Sequence, residues 1–485
     1  MIYMTATPTG TRSYFERLKK KGLNPATSIL GTTDLMVSRV GFGGYRVHEF
    51  DPDHREALRM ALTSGCNIID TSSNYTDGSS ERLIGQVTSE LFDSGELRRE
   101  EVVFVTKAGY VQGENLRLAK ERAARGEAFP DMVEFQADCW HNISPEYLEA
   151  QITNSLERLK IQQIDILLLH NPEYYLKSNG SREIYYQRIE RAFRHLEKER
   201  ERGRIRYYGI SSNTFPEDEA RSDFTSLAKV IEIGRAVAGD GKKKSHFAVI
   251  QMPFNLFESG AAFLKNNNKS TVLELAEREG LGVLINRPFN AVQKGRLVRL
   301  TTFPEHDPVE VKGNLHVALG RAIELEKSAP GYPKAAHGLQ WAHLLRDRLN
   351  DLDDILAWRD ALLNQIYPSI RQALNRLNSD RQAWANEYQT IMQELLNLIT
   401  ADLENLANQK SGLIADQLVA SSPELASSPT LSQKVLRVYS GLPAIHTILV
   451  GMRTPKYVRD VLDAGEPISK EKSLETLSRF LRYRS

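Results

Sequence analysis

Short apolar runs, separated by longer stretches with helical spacing, fill most of the chain. Val40–Tyr45, Ile68–Asp70, Val102–Lys107, Ile164–Leu169, Tyr207–Ile210, Phe247–Gln251, Gly282–Asn286 and Ile445–Val450 read as eight strands. Helices fall between them. Asp53–Ser64 carries Ala57, Leu58, Ala61 and Leu62, and Glu81–Leu91 follows the second strand. Ser144-Pro145 opens a helix whose Leu148, Ile152, Leu156 and Leu159 recur at steps of three and four. Strands alternating with helices imply a parallel sheet, and eight of them favour a closed α/β architecture, the (β/α)8 TIM barrel, over an open doubly wound sheet. No Gly-x-Gly-x-x-Gly opens a helix after the first strand, which argues against a Rossmann domain. Thr27–Ser38 has a hairpin pattern around Gly31-Thr32-Thr33-Asp34. Residues 1–27 read as a polar N-terminal tail with at most one helical turn near Tyr14–Lys19, and a long polar loop is expected from Lys107 to about 143.

Between the seventh and eighth strands the pattern changes. Two amphipathic runs, Leu352 to Leu377 and Trp384 to Leu406, keep apolar residues at steps of three and four with polar residues between. Pro368 should kink or restart the first run, Asn378-Ser379-Asp380 should turn the chain, and Leu315–Lys327 and Leu339–Leu349 offer two further helices. The pattern predicts an all-α helical bundle inserted at 303–428 in a barrel made of 28–302 and 429–485. Leu431–Tyr439 would then resume the barrel's seventh helix, with the bundle springing from the C-terminal rim. Such a bundle is expected to act as a lid or as the surface of a homo-oligomer.

Composition narrows the classes. At 485 residues the chain is longer than a barrel of about 250, which fits the division above. A net charge of +1 gives no electrostatic footprint for nucleic acid or anionic lipid. No apolar run approaches the roughly 20 residues of a membrane span. The two cysteines, Cys66 and Cys139, have no metal-ligand spacing, so neither a disulfide framework nor a metal site is expected. The basic cluster Lys19-Lys20-Lys21 has no apolar segment behind it, so it is not a secretory signal, and a cytoplasmic location is expected.

Candidate chemistry sits at strand ends. The second strand ends in Asp70 and opens into a loop with Tyr75, the third ends in Lys107, and the fourth ends in His170. In a parallel barrel these four meet at one rim. Hydride delivered to a carbonyl carbon leaves charge on oxygen that must be stabilised and protonated. A phenol beside an ammonium can do this. Lys107 supplies the cation, Asp70 holds it, Tyr75 is the general acid or base, and a neutral His170 would orient the carbonyl by donating a ring N–H.

Ile69–Tyr75, Gly78–Glu81, Leu83–Gly85, Val105–Lys107, Leu169–Pro172, Tyr208–Asn213 and Val450–Pro455, in this order, resemble the aldo-keto reductase superfamily outside about 303–428. The resemblance implies a barrel that interconverts a carbonyl (aldehyde, ketone or sugar) and an alcohol with NADPH, through the Asp, Tyr, Lys and His tetrad. It implies NAD(P)H contacts at Ser212, Asn213 and Gln251 for the nicotinamide carboxamide. Gly451, Arg453 and Thr454 would take phosphate at a helix start, with Arg453 at the adenosine 2'-phosphate. Two positions depart from the family. Asn286 stands where an aromatic often stacks on nicotinamide, and Asp460-Val461 replaces a Glu-Asn pair, which leaves NADH as the alternative cofactor. A second function class therefore stands beside the oxidoreductase: a nucleotide-binding regulatory or scaffold protein, with the helical insertion as its partner surface.

Overall fold

The computed structural model describes residues 5–239, 245–293, 296–329, 339–377 and 381–481. Eight parallel strands close a barrel: β1 (Val40–Gly43), β2 (Ile68–Asp70), β3 (Val103–Ala108), β4 (Ile164–His170), β5 (Ile205–Ser211), β6 (Phe247–Pro253), β7 (Gly282–Asn286) and β8 (Thr447–Val450). They pair in chain order around the ring, with β8 back on β1. Most of their residues are buried because one face fills the barrel and the other lies under helices. The interior includes Ile68, Val103, Val105, Ile166, Leu168, Val249, Leu284 and Leu449. The (β/α)8 barrel expected from the sequence is the fold. Thr27–Ile29 and Met36–Ser38 form the expected hairpin.

Two segments differ from the sequence reading. Within the supposed tail, Pro8–Lys20 is a helix that buries Tyr14, Phe15 and Leu18, with Thr7 accepting from the Gly10 amide as its cap. It is fixed to the barrel: the Ala6 amide donates to Asp165 Oδ1 at 2.7 Å, the Tyr14 hydroxyl to the Leu62 carbonyl at 2.7 Å, and Arg17 pairs with the buried Glu101. Its apolar face is only one turn long and is diluted by arginines and lysines, so tertiary anchoring rather than periodicity makes it a helix. The loop expected up to residue 143 holds Tyr110–Val111, Val133–Gln136 and Cys139–His141 in a three-stranded antiparallel sheet, with a helix over Gly113–Ala124. Strands of two to four residues carry too few alternations to be read from sequence.

Packing divides the chain into two compact units, Met1–Leu300 with Leu418–Ser485, and Thr301–Gln417. The second unit has its own apolar core, with Leu345, Trp358, Ile366, Tyr388, Leu395 and Ile399 buried. Glu326, fully buried, caps the start of the helix Trp341–Arg348 by accepting from the Ala342 amide at 2.7 Å, and it also accepts from the Tyr388 hydroxyl at 3.0 Å. Pro368 falls at the start of the helix Tyr367–Leu374, after a π-helical turn over Leu362–Ile366, so the chain restarts there. The turn expected at Asn378-Ser379-Asp380 lies outside the described residues. The unit ends before the expected residue 428, because Leu425 is buried in the barrel unit and its carbonyl accepts from Lys434 Nζ. Among the described residues, no helix is long and apolar enough to cross a membrane.

Candidate active site

Asp70 ends β2, Lys107 stands one residue before the end of β3, His170 ends β4, and Tyr75 opens the turn that follows β2. The parallel register therefore brings all four to one rim. Lys107 is fully buried, and Asp70 and His170 nearly so. Lys107 Nζ donates to Asp70 Oδ2 and to the Thr71 carbonyl, both at 2.7 Å, and to the Tyr75 oxygen at 3.3 Å. An ammonium has three hydrogens. All three have acceptors here, and the phenol keeps its own hydrogen for another partner.

Burial alone would lower the Lys107 pKa, but Asp70 and Tyr75 hold it above its ordinary value, so it stays an ammonium. Burial pushes the Tyr75 phenol up against the pull of Lys107, which leaves it a neutral proton donor. Burial, reinforced by the charge of Lys107 and by His141, holds His170 well below the usual imidazole range, so its ring is neutral.

The turn after Tyr75 is strained in a way that fixes the phenol. Thr76 and Asp77 have φ of 46° and 56°, a conformation that costs roughly 1–3 kcal/mol for each non-glycine residue. Neighbouring loops hold them there. Thr76 Oγ1 donates to the Val47 carbonyl at 2.5 Å, and Asp77 Oδ1 accepts from the Glu114 amide at 2.9 Å.

Further side chains brace the four. Gln251 Nε2 donates to Asp70 Oδ1 at 2.7 Å, while Gln251 Oε1 accepts from Ser211 Oγ at 2.9 Å and Asn286 Nδ2 at 3.1 Å. Buried Glu81 accepts from Thr106 Oγ1 at 2.6 Å and Arg158 Nε at 2.7 Å, which anchors the residue before Lys107. Tyr110 and Tyr75 set their rings edge to face with His170, at centroid distances of 4.6 and 5.8 Å. His141 Nε2 donates to the His170 carbonyl at 2.8 Å. Ser72 Oγ lies 3.0 Å from His170 Nδ1 and 2.7 Å from Asn74 Oδ1, and Asn74 Nδ2 donates to Gln112 Oε1 at 2.9 Å; Ser72, Asn74, Gln112, Tyr110 and Ser211 are additions to the sequence reading. Ser211 was legible in principle, because the register sets it opposite both His170 and Gln251.

The other candidates occupy two places. Ser212 and Asn213 follow β5. The Ser212 amide donates to the Gln251 carbonyl at 2.9 Å, and the Asn213 amide to Glu173 Oε1 at 2.8 Å. Gly451, Arg453 and Thr454 lie in the turn after β8, where Thr454 caps the helix Pro455–Leu462 through the Tyr457 amide. Asp460 on that helix accepts from Thr430 Oγ1 at 2.7 Å and from Ser432 Oγ, so its carboxylate ties two helices together. Among the described residues, no group of three His, Cys, Asp or Glu side chains is placed to hold a metal ion.

Comparison with known proteins gives a consistent result. Residues 39–480 match the Aldo/keto reductase family. The chain is 34% identical over 149 residues to an NADH-specific methylglyoxal reductase of Escherichia coli, covering 29% of this chain and 40% of that one. It is 28% identical over 188 residues to an L-galactose dehydrogenase of Arabidopsis thaliana, covering 38% and 47%. Three of the curated relatives it matches are spanned over 40%, 56% and 42% of their length. Among solved structures, a glycerol dehydrogenase from Gluconobacter oxydans aligns over 94% of this chain and 95% of its own, at 18% identity and a TM-score of 0.47.

Proposed function

The chain belongs to the aldo/keto reductase family, and from that premise we propose that it is an NAD(P)H-dependent oxidoreductase interconverting a carbonyl and an alcohol, with Tyr75 as general acid and base. The observation that carries this reading is the contact of the Lys107 ammonium with both Asp70 and the Tyr75 oxygen. A dinucleotide held at this rim would supply the hydride that the carbonyl carbon takes. As negative charge grows on the carbonyl oxygen, Tyr75 donates its proton to that oxygen. The Lys107 ammonium, 3.3 Å away, stabilises the phenolate left behind. Asp70 keeps the ammonium in place, and Gln251 keeps Asp70 in place. In the oxidation direction the same phenolate takes the alcohol proton.

Two features fit the dinucleotide. Asn286 Oδ1, beside Gln251, is buried without a donor among the described residues, which suits a carboxamide N–H. Its chain neighbours aside, no atom of the described residues lies within 4 Å of where a Cβ would stand on Gly451, so a phosphate can approach the backbone before the capped helix. Ser212, Asn213 and Gln251 would hold the nicotinamide end, and Gly451, Arg453 and Thr454 the phosphate end. NADPH is the first choice through Arg453, with NADH the alternative, because Asp460 is engaged with Thr430 and Ser432. The test is turnover of simple aldehydes with each cofactor by wild type and Tyr75→Phe. Loss of the phenol should lower kcat by about 10²–10⁴-fold with cofactor affinity kept. Equal turnover by the variant removes the proposal.

A regulatory module is the second reading. What favours it is Asn286, which holds Gln251 where a stacking ring is expected, together with a helical unit that has a core of its own. Tight cofactor binding with no turnover of any carbonyl by wild type would select it.

A further inference from the structure

Glu173 is a fully buried carboxyl group that the chemistry above leaves unused. It lies three residues beyond the end of β4, at the start of the short helix Tyr174–Lys177. The neighbouring strand β5 ends at Ser211, opposite His170, and Ser212 and Asn213 follow it. The Asn213 amide donates to Glu173 Oε1 at 2.8 Å. The carboxyl group is thus one backbone amide away from the pair that would hold the nicotinamide carboxamide.

A buried carboxylate needs a cation or a full set of donors. Other fully buried carboxylates have one: Glu81, Glu101, Asp165 and Glu199 each bond to an arginine, and Glu326 bonds to His343 at 2.6 Å. Glu173 has no ion pair among the described residues, and its Oε2 has no hydrogen bond of good geometry among them. What it lacks is positive charge. A nicotinamide ring held at Ser212 and Asn213 carries that charge in its oxidised form and not in its reduced form.

We propose that Glu173 is a positioning residue behind Ser212 and Asn213 whose negative charge favours the oxidised over the reduced dinucleotide, so that pH sets which form the site prefers. This rests on the dinucleotide reading. Burial pushes the Glu173 carboxyl up to about 7, while its own amide, Lys177, the Asn213 amide and the Ser212 hydroxyl pull the other way. The groups around it keep their charge through neutral pH. Burial raises the phenols of Tyr110, Tyr174 and Tyr185, which stay neutral. Burial would also raise Asp223, but Arg221 holds it below its usual value, so it stays an anion. Below pH 7 a neutral Glu173 is indifferent to the charge of the ring, and above it the carboxylate attracts a positive one. By linkage, binding of the oxidised form then releases part of a proton.

The test titrates the full chain with NADPH and with NADP⁺ by calorimetry across the range from pH 5 to pH 8. Taking the ratio of the two Kd values cancels the 2'-phosphate, which both forms carry. As pH rises, NADP⁺ should tighten relative to NADPH by roughly tenfold, the effect of opposite unit charges about 10 Å apart at an effective dielectric constant of about 20. Glu173→Gln keeps the shape and loses the charge, so its ratio should stay flat. Lys177→Met removes a cation that favours the carboxylate and should move the midpoint to higher pH. Wild type in buffers of different ionisation enthalpy should release more proton near pH 7 on binding NADP⁺ than on binding NADPH. A flat ratio in wild type overturns the proposal, as does a slope that survives in Glu173→Gln. Should that variant fail to fold, an unmoved midpoint in Lys177→Met overturns it instead. If neither form binds, the dinucleotide reading fails and this inference with it; if both bind with a flat ratio, this inference alone fails.

Discussion

Glu173 shows how one buried side chain leaves a signature in the whole protein's stability. It is fully buried, its Oε1 accepts from the Asn213 amide at 2.8 Å, and its Oε2 has no hydrogen bond of good geometry among the described residues. Burial pushes its pKa up from 4.5 to about 7. Between those values the folded protein binds a proton that the unfolded chain has released, so stability falls as pH rises through that window. The loss should reach about 3 kcal/mol above pH 7. The buried neutral histidines His141, His170 and His446 shift stability the other way over the same range, so the check is a difference: in urea unfolding at pH 5 and pH 8, wild type should lose stability relative to Glu173→Gln as pH rises. Residues of this kind are hard to read in a sequence, because Glu173 looks like any loop carboxylate until β4 and β5 are side by side. Asp70, Lys107 and His170 were legible only together: each alone has a common bland use, but polar residues at the ends of three apolar strands of a parallel barrel come to one rim. Ser72, Asn74 and Gln112 were not, since their meaning lies in which atom faces which.

Elements were legible where the period was long enough to see. The barrel strands stood out, while the two-residue strand Tyr110–Val111 did not. Within β5, the pairing with β6 shifts register between Tyr208 and Gly209. A Cβ on Gly209 would stand 1.7 Å from the Val249 carbonyl oxygen. The close approach of these two strands sets Ser211 against Gln251, and so bears on the support of Asp70. Gly209→Ala must push β5 and β6 apart, and should cost at least about 3 kcal/mol. Equilibrium unfolding measures this. A variant as stable as wild type would show that the strands separate freely.

At the scale of the molecule, the helical unit was visible as a long run of amphipathic spacing, but its ends were not. The end at Gln417 falls inside the continuous helix Gln382–Ser421, where no turn signal marks it. A separate core in each unit predicts two calorimetric transitions. Adding NADPH at a hundred times its Kd should stabilise the barrel transition by about 2.7 kcal/mol and leave the other where it is. A single transition moving as one would contradict this. The N-terminal helix adds a consequence in time. Its amide anchor at Ala6 bonds to Asp165, 159 residues later in the chain. At roughly 5–20 residues per second on the ribosome, the helix waits about 8 to 30 s for its acceptor to be synthesised. During synthesis Tyr14, Phe15 and Leu18 have no barrel to cover them, so the nascent chain offers a greasy handle to chaperones until the fourth strand emerges.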